Sequence, residues 1–284
     1  MPRIWFITGC SSGFGRQLTI TAAQNGDKVV ATSRDPSKLD DLNSLGIISI
    51  KLDVHNETEI QAVIDHVEST IGPIDILVNN IGYILEGAIE ECSNEEITAQ
   101  FDTNLFSQIR ILRAVLPSMR VRKSGVVANF GSIGGWNGTP GAGLYCASKA
   151  AVAIYTESLA AELLPFNIEV TCVEPGYFRT DFLEGGHKMV ANKRIAELDV
   201  STQQTRDGLA AYSLRQPGDP VKGARVLFEA LTRTGRCEGR RLPVRLALGT
   251  DSLTAIGRSL KREQEMLEGW REIIASTDCD DVRG

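Results

Sequence analysis

An apolar, strand-like run, Ile4-Trp5-Phe6-Ile7, passes directly into Thr8-Gly9-Cys10-Ser11-Ser12-Gly13-Phe14-Gly15 and then into a helix-like stretch, Arg16 to Gln24. A strand that turns on glycines straight into a helix leaves few folds open, because a crossover of this kind returns the chain to a parallel neighbouring strand. Six further β-rich runs follow with helix-length segments between them: Lys28 to Ala31, Ile47 to Leu52, Ile76 to Val78, Val126 to Phe130, Glu169 to Val173 and Pro243 to Leu248. Seven strands alternating with helices imply a doubly wound parallel sheet of the α/β class, with helices on both faces. Such a sheet binds ligands beyond the carboxyl ends of its strands, so functional residues should stand just after these runs.

No repeat, low-complexity tract or proline-rich linker interrupts the alternation, so the 284 residues read as one domain, 1–284. Lys and Arg number 30 against 36 Asp and Glu, and the net charge of -6 argues against a nucleic-acid partner. Cys10, Cys92, Cys146, Cys172, Cys237 and Cys279 are scattered without a CxxC pair, the pattern of reduced thiols rather than a disulfide framework or zinc site. His55, His66 and His187 stand alone, so no metal is expected. Met1-Pro2-Arg3 is too short for a secretory leader and no membrane anchor follows, which makes the expectation a cytoplasmic protein without a membrane partner.

At a strand-to-helix turn, absent side chains let the backbone approach a pyrophosphate, and the helix N-terminus offers it free N–H groups and a positive dipole end. The second strand ends in Ser33-Arg34, where a carboxylate would repel a 2′-phosphate and a guanidinium can pair with it bidentately. NADP(H) is therefore expected over NAD(H), with Asp35, the next residue, as the competing carboxylate. Asp53 closes the third strand, where it can accept from an adenine amino group or cap the following helix, and Val54 can cover the ring. Asn79-Asn80-Ile81-Gly82 ends the fourth strand on the same edge.

Tyr145-Cys146-Ala147-Ser148-Lys149 puts a phenol and an ammonium on one helix face about one turn apart. An ordinary tyrosine, with a pKa of about 10, is a poor proton shuttle at neutral pH, and a nearby lysine cation lowers that pKa. Ser132 ends the fifth strand, and the glycine-rich connection from Gly134 to Gly143 can fold it back towards Tyr145 to hold a carbonyl oxygen. Asn104, polar amid apolar neighbours, is either a catalytic residue or a helix-packing asparagine.

Taken together these motifs resemble the short-chain dehydrogenase/reductase family from Ile4 to about Gly249. TGxxxGxG is met at Thr8 to Gly15, NNAG by Asn79 to Gly82 with Ile81 in place of Ala, the catalytic tetrad by Asn104, Ser132, Tyr145 and Lys149, and the PG turn by Pro175-Gly176. The resemblance implies a single-domain Rossmann fold binding NADP(H), with Tyr145 as proton donor to the carbonyl and Ser132 orienting it. Lys149 would bind the nicotinamide ribose and lower the tyrosine pKa, and Asn104 would hold a proton-relaying water. It also implies cofactor contacts from Thr8, Gly9, Ser11, Ser12, Gly13, Phe14, Gly15, Ser33, Arg34, Asp53, Val54, Asn80, Ile81, Gly82, Pro175, Gly176, Phe178 and Thr180, the last at the nicotinamide carboxamide. The Gly-Cys-Ser-Ser-Gly opening and Thr-Ser-Arg strand end look most like the hydroxysteroid-dehydrogenase-like and retinol-dehydrogenase-like branch. Family members commonly pair through the helices that here span about Asn94 to Met119 and Tyr145 to Leu164, so a homodimer or homotetramer is expected.

The stretch from about 182 to 220 is a long polar insertion, either a substrate lid or a surface excursion. From Ser252 to Ser276, Leu253, Ile256, Leu260, Leu267, Trp270 and Ile274 form one apolar helix face, expected in core packing or a subunit contact rather than at the substrate. Trp136, Tyr177, Phe178, Phe182 and Met189 would surround an apolar carbonyl substrate. The leading expectation is an NADPH-dependent carbonyl reductase, reversible as an alcohol dehydrogenase. The alternatives are an NADP(H)-dependent epimerase or isomerase and a non-catalytic NADP(H)-sensing regulator.

Overall fold

The structure, a computed structural model, describes residues 2–279, so the ends of the expected domain 1–284, Met1 and 280–284, lie outside the described residues. The strands are β1 (Ile4–Ile7), β2 (Lys28–Ser33), β3 (Ile48–Lys51), β4 (Ile76–Asn79), β5 (Ile84–Glu86), β6 (Gly125–Phe130), β7 (Ile168–Pro175), β8 (Lys188–Val190) and β9 (Arg245–Leu248). Between and after them run α1 (Gly13–Gln24), α2 (Glu57–Thr70), α3 (Asn94–Phe101), α4 (Ser107–Arg122), α5 (Gly143–Leu163), α6 (Asp199–Tyr212), α7 (Pro220–Thr232), α8 (Thr250–Gly269) and α9 (Arg271–Ala275).

Seven strands pair in parallel in the order β3-β2-β1-β4-β6-β7-β9, the doubly wound Rossmann arrangement expected from the alternation. Strand side chains alternate between faces, so Trp5 and Ile7 enter one core with Leu18 of α1 and Leu227 of α7. Phe6 enters the other with Ile60 of α2 and Ile111 of α4. The connections leave β1 and β4 towards opposite sides of the sheet, which opens a crevice between those two adjacent strand ends. The glycine turn and the Asn80-Ile81-Gly82 segment both emerge there.

A second, two-stranded sheet was not anticipated. β5 and β8 pair in parallel through Ile84↔Lys188, Leu85↔Met189 and Glu86↔Val190, and three-residue strands are too short to show a period-two pattern. The 182–220 insertion therefore carries β8 and α6 and is tied to the body. Arg206 of α6 pairs with Glu86 at 3.3 Å and with Glu91 at 2.5 Å, and Lys188 reaches Glu86 at 3.1 Å. Burial pushes the Glu91 carboxyl up, but N–H groups of Ile195 and Ala88 and the Arg206 guanidinium outweigh it and hold it below the usual range.

Of the two places expected for the C-terminal apolar face, core packing needs correction. α8 docks through two serines one heptad apart: Ser252 Oγ donates to Glu174 O at 2.9 Å and Ser259 Oγ to Asn137 Oδ1 at 2.7 Å. The apolar face does not pack in the core, since Leu253 is 71% exposed, Leu260 56% and Trp270 56%. Apolar spacing shows which side chains share a face, not what that face meets. Among the described residues no helix is long and apolar enough to cross a membrane.

Arg206→Met should cost about 3 kcal/mol in urea unfolding, because it strands Glu91 as a buried, unpaired charge. A loss below about 1 kcal/mol would show that water reaches the cluster and screens it.

Candidate active site

Two strand ends are stapled together before any ligand is considered. Asn80 N–H donates to Thr8 Oγ1 at 3.0 Å, and its side-chain amide donates to the carbonyls of Thr8 at 3.0 Å and Gly9 at 3.1 Å. Gly9 and Gly13 adopt φ of 69° and 56°, conformations that L side chains resist. A Cβ on Gly15 would stand 2.4 Å from Gly9 O, so only glycine allows α1 to start so close beneath the turn. Phe14 packs edge-on against Phe178 at 4.7 Å and thereby joins the turn to the segment after β7.

A cavity of about 640 Å³ runs along this edge. Its wall brings together Gly9, Ser11, Ser12, Gly13, Phe14, Ser33, Arg34, Val54, Asn80, Ile81 and Gly82, and also Ser132, Tyr145, Lys149, Pro175, Gly176, Phe178 and Thr180. Thr8 and Gly15 lie behind the wall as supports for the turn. Asp53 is not brought to it: the carboxylate turns back to accept from His55 N–H at 3.0 Å, and Asn56 instead caps α2 by accepting from Glu59 N–H at 3.1 Å. Val54 and His55, which follow Asp53, occupy that edge of the wall.

Asn104 lies in a single π-helical turn, Asp102–Phe106, between α3 and α4, and is fully buried. Its amide donates to Tyr83 O at 2.9 Å and Ser148 Oγ at 3.1 Å, while Oδ1 accepts from Tyr83 N–H at 2.9 Å. The side chain thus packs behind the wall, with Gly82 between it and Lys149: a Cβ there would lie 3.1 Å from Lys149 Nζ and 3.3 Å from Asn104 Oδ1.

Ser132 follows β6 and accepts from Gly134 N–H at 3.0 Å, which folds the glycine-rich connection back as expected. That fold is close: a Cβ on Gly134 would stand 3.2 Å from the Tyr145 ring and 3.4 Å from Ser132 Oγ. Lys149 Nζ donates to Phe130 O at 2.8 Å and lies 6.0 Å from the Tyr145 ring centroid. Burial pushes the Tyr145 phenol above its ordinary value, with the Ser132 hydroxyl acting in the opposite direction. Burial likewise lowers Lys149 to about 8. Desolvation dominates the tyrosine's acidity here, and Lys149 does not offset it.

Tyr177, Phe178, Phe182 and Met189 line the cavity as expected, but Trp136 does not. Its indole N–H donates to Glu174 at 2.9 Å and its ring carries the Arg245 guanidinium at 3.8 Å, which turns it away. The sequence reading missed Tyr83, Ile84, Leu209, Gln216, Ala255, His55 and His187 on the wall. Tyr83 and Ile84 run on from the Asn79 to Gly82 segment and His55 from Asp53-Val54, just past the motif residues, and the others stand apart from any motif. Among the described residues no three His, Cys, Asp or Glu side chains gather as a metal site requires.

Comparison with known proteins accords with this geometry. Residues 3–190 match the family described as short chain dehydrogenase. The chain is 31% identical over 277 residues to an oxidoreductase, BOA17, of Botryotinia fuckeliana, covering 96% of this chain and 98% of that one. It is 37% identical over 214 residues to human retinol dehydrogenase 8, covering 72% of this chain and 67% of the relative. A short-chain dehydrogenase from Streptomyces avermitilis superposes with a TM-score of 0.90 at 36% identity, covering 98% of this chain and all of that one. The fold is also that of a Burkholderia phymatum protein solved with NAD (TM-score 0.79, 23% identity, 94% of both chains) and of ElxO solved with NADP (0.72, 24%, 89% of this chain and all of ElxO).

The depressed Lys149 gives a pH signature. Between about pH 8 and the ordinary lysine value of 10.5 the unfolded chain binds the proton that the folded chain has lost. The cost of burying the cation is therefore present below about pH 8 and fades as pH rises. Urea unfolding of the wild type and Lys149→Met at pH 7.5 and 9.5 should show the wild type gaining stability relative to the variant at the higher pH; a constant difference would exclude the shift.

Proposed function

The chain belongs to the short-chain dehydrogenase family, and from that premise we propose that it is an NADPH-dependent carbonyl reductase. In reverse it would oxidise a secondary alcohol. What supports the reading above all is one continuous cavity that runs from Arg34, past the glycine turn, to Ser132, Tyr145 and Lys149.

The residues present fit a dinucleotide. The positive-φ glycines leave a side-chain-free cradle at the start of α1, and Gly82 leaves room beside Lys149 that a Cβ would fill. Arg34 and Ser33 would hold a 2′-phosphate. The competing Asp35 is engaged elsewhere: its Oδ1 accepts from Ser37 N–H at 3.2 Å and from Ser37 Oγ at 2.6 Å, capping the short helix Pro36–Leu45. A carboxylate committed to a cap leaves the guanidinium as the selective group at this strand end.

The bound cofactor supplies the hydride; the protein supplies position, a proton and exclusion of water. Tyr145 carries the proton that a carbonyl reduction would consume, and because burial makes the phenol a weaker acid, the Ser132 hydroxyl beside it and the Lys149 cation must assist its release. Ser132 stands beside it to orient a carbonyl oxygen, and Lys149 is fixed by Phe130 O where it can meet a ribose hydroxyl. Asn104, through Tyr83 and Ser148, positions this wall. Ile84, Phe182, Leu183, Met189 and Leu209 make the adjoining space apolar, which suits a ketone or aldehyde of low polarity. All six cysteines are free, as a reducing compartment keeps them, and the cytoplasm is the proposed location. Exposed Phe106 and Ile154, on the stretches through which family members pair, support a homo-oligomer.

Tyr145→Phe should keep NADPH affinity within about threefold while turnover of an apolar ketone falls about a thousandfold, since a positioned proton donor is worth roughly that much. Near-normal turnover would remove Tyr145 from the reaction. Arg34→Ala should raise the NADPH dissociation constant about thirtyfold or more and that for NADH about twofold or less, followed by cofactor fluorescence at fixed salt. Equal losses would remove the 2′-phosphate assignment.

A further inference from the structure

The segment between β7 and α7 closes over the glycine turn as well as over the substrate space, and it carries an imidazole there. His187 stands immediately before β8. Its carbonyl accepts from Ile84 N–H at 2.9 Å, and its own N–H donates to Glu184 O at 3.1 Å, so the backbone sets its place whatever the side chain. The ring Nε2 lies 3.2 Å from Ser12 Oγ and lines the cavity.

Ser12 occupies the N-cap position of α1, yet its hydroxyl makes no capping bond. It faces His187 instead, beside helix N–H groups and the positive dipole end, a place that favours an anion. Asp181 works against such an anion: its carboxylate lies 3.7 Å from His187 Nε2, and its Oδ1 lies 3.8 Å from where a Gly13 Cβ would stand. The other basic side chains on the wall stand after β2 (Arg34), after β3 (His55) and on α5 (Lys149), away from the turn.

We propose that His187 is a ligand to the diphosphate of the bound dinucleotide, supplied by the segment that also lines the substrate space. The proposal rests on reading the cavity as a dinucleotide site. In either tautomer the imidazole presents an N–H, and Ser12 can turn its hydroxyl to match. The β5–β8 pairing and the buried Glu86, Glu91, Arg206 and Lys188 cluster hold the segment in register, so His187 needs little reordering to reach the ligand.

The test compares three ligands by calorimetry: NADPH, 2′-phospho-ADP-ribose, which keeps the diphosphate, and adenosine 2′-monophosphate, which lacks it. The ring is 36% exposed, so a moderate effect is expected. His187→Ala should weaken the first two about tenfold and leave the third unchanged. His187→Gln, which keeps an N–H donor, should recover part of the loss, and Asp181→Asn should tighten only the two diphosphate ligands. Unchanged or tighter NADPH binding by His187→Ala would overturn the proposal, as would an equal loss for all three ligands. If the wild type binds none of them, the dinucleotide reading itself fails; if it binds all three and His187→Ala matches it, only the role of His187 fails.

Discussion

The close approach of the ends of β1 and β4 is the constraint on which the rest of the molecule depends. Three hydrogen bonds from Asn80 hold Thr8 and Gly9 against β4, and Gly15 starts α1 beneath them where any Cβ would meet Gly9 O. These contacts are made by backbone, one side-chain amide and the Thr8 hydroxyl, so they set the crevice geometry before any ligand enters. The Gly9 to Phe14 and Asn80 to Gly82 stretches of the cavity wall flank that junction. Phe14 against Phe178, with Gly223 of α7 leaving room for both rings, transmits the position to the far half of the sheet.

Burial sets the chemistry at the other end of the crevice. Tyr145 and Lys149 share a helix face, but in the protein as it stands their protonation is governed by loss of water rather than by each other. The phenol is kept neutral and the ammonium is made easier to deprotonate, so burial moves the two in opposite directions from nearly equal ordinary values. The Ser132 hydroxyl beside the phenol acts against burial and eases the release of its proton. Lys149, tethered to Phe130 O, is equipped to hold a neighbouring group in place.

The long excursion after β7 links these two ends. It is neither a free loop nor part of the main sheet: a three-residue pairing and a buried group of opposite charges fasten it to β5 and the Glu91 turn. Buried charges of this kind add little net stability when paired, yet they penalise any misplacement of the segment because a lone charge would be left without water. Phe182, Leu183, Met189 and Leu209 of the excursion therefore face the cavity in one register. By contrast, α8 leaves the body after Ser259, and its apolar stripe lies exposed along most of its length.

How much of this was legible in the sequence depended on how local the causing interaction is. Strand and helix alternation, the glycine turn, the serine after β6 and the tyrosine and lysine one turn apart are set by backbone geometry over a few residues, so all could be read directly, and the parallel sheet followed from them. Trp136 and the core-packing reading of the C-terminal stripe were misjudged because each was assigned by its place relative to a strand or a period, whereas Trp136 meets Glu174 and Arg245 and the stripe meets solvent in the single chain. The β5–β8 pairing, the charge cluster around Arg206 and the placement of His187 against Ser12 join residues 102 to 175 positions apart. The sequence by itself determined the elements and the sheet edge that carries the candidate site, because short-range sterics and hydrophobic period suffice for those. Only the tertiary structure decided which side chains share the cavity and how burial shifts their protons, because desolvation and long-range pairing exist only once the chain has packed.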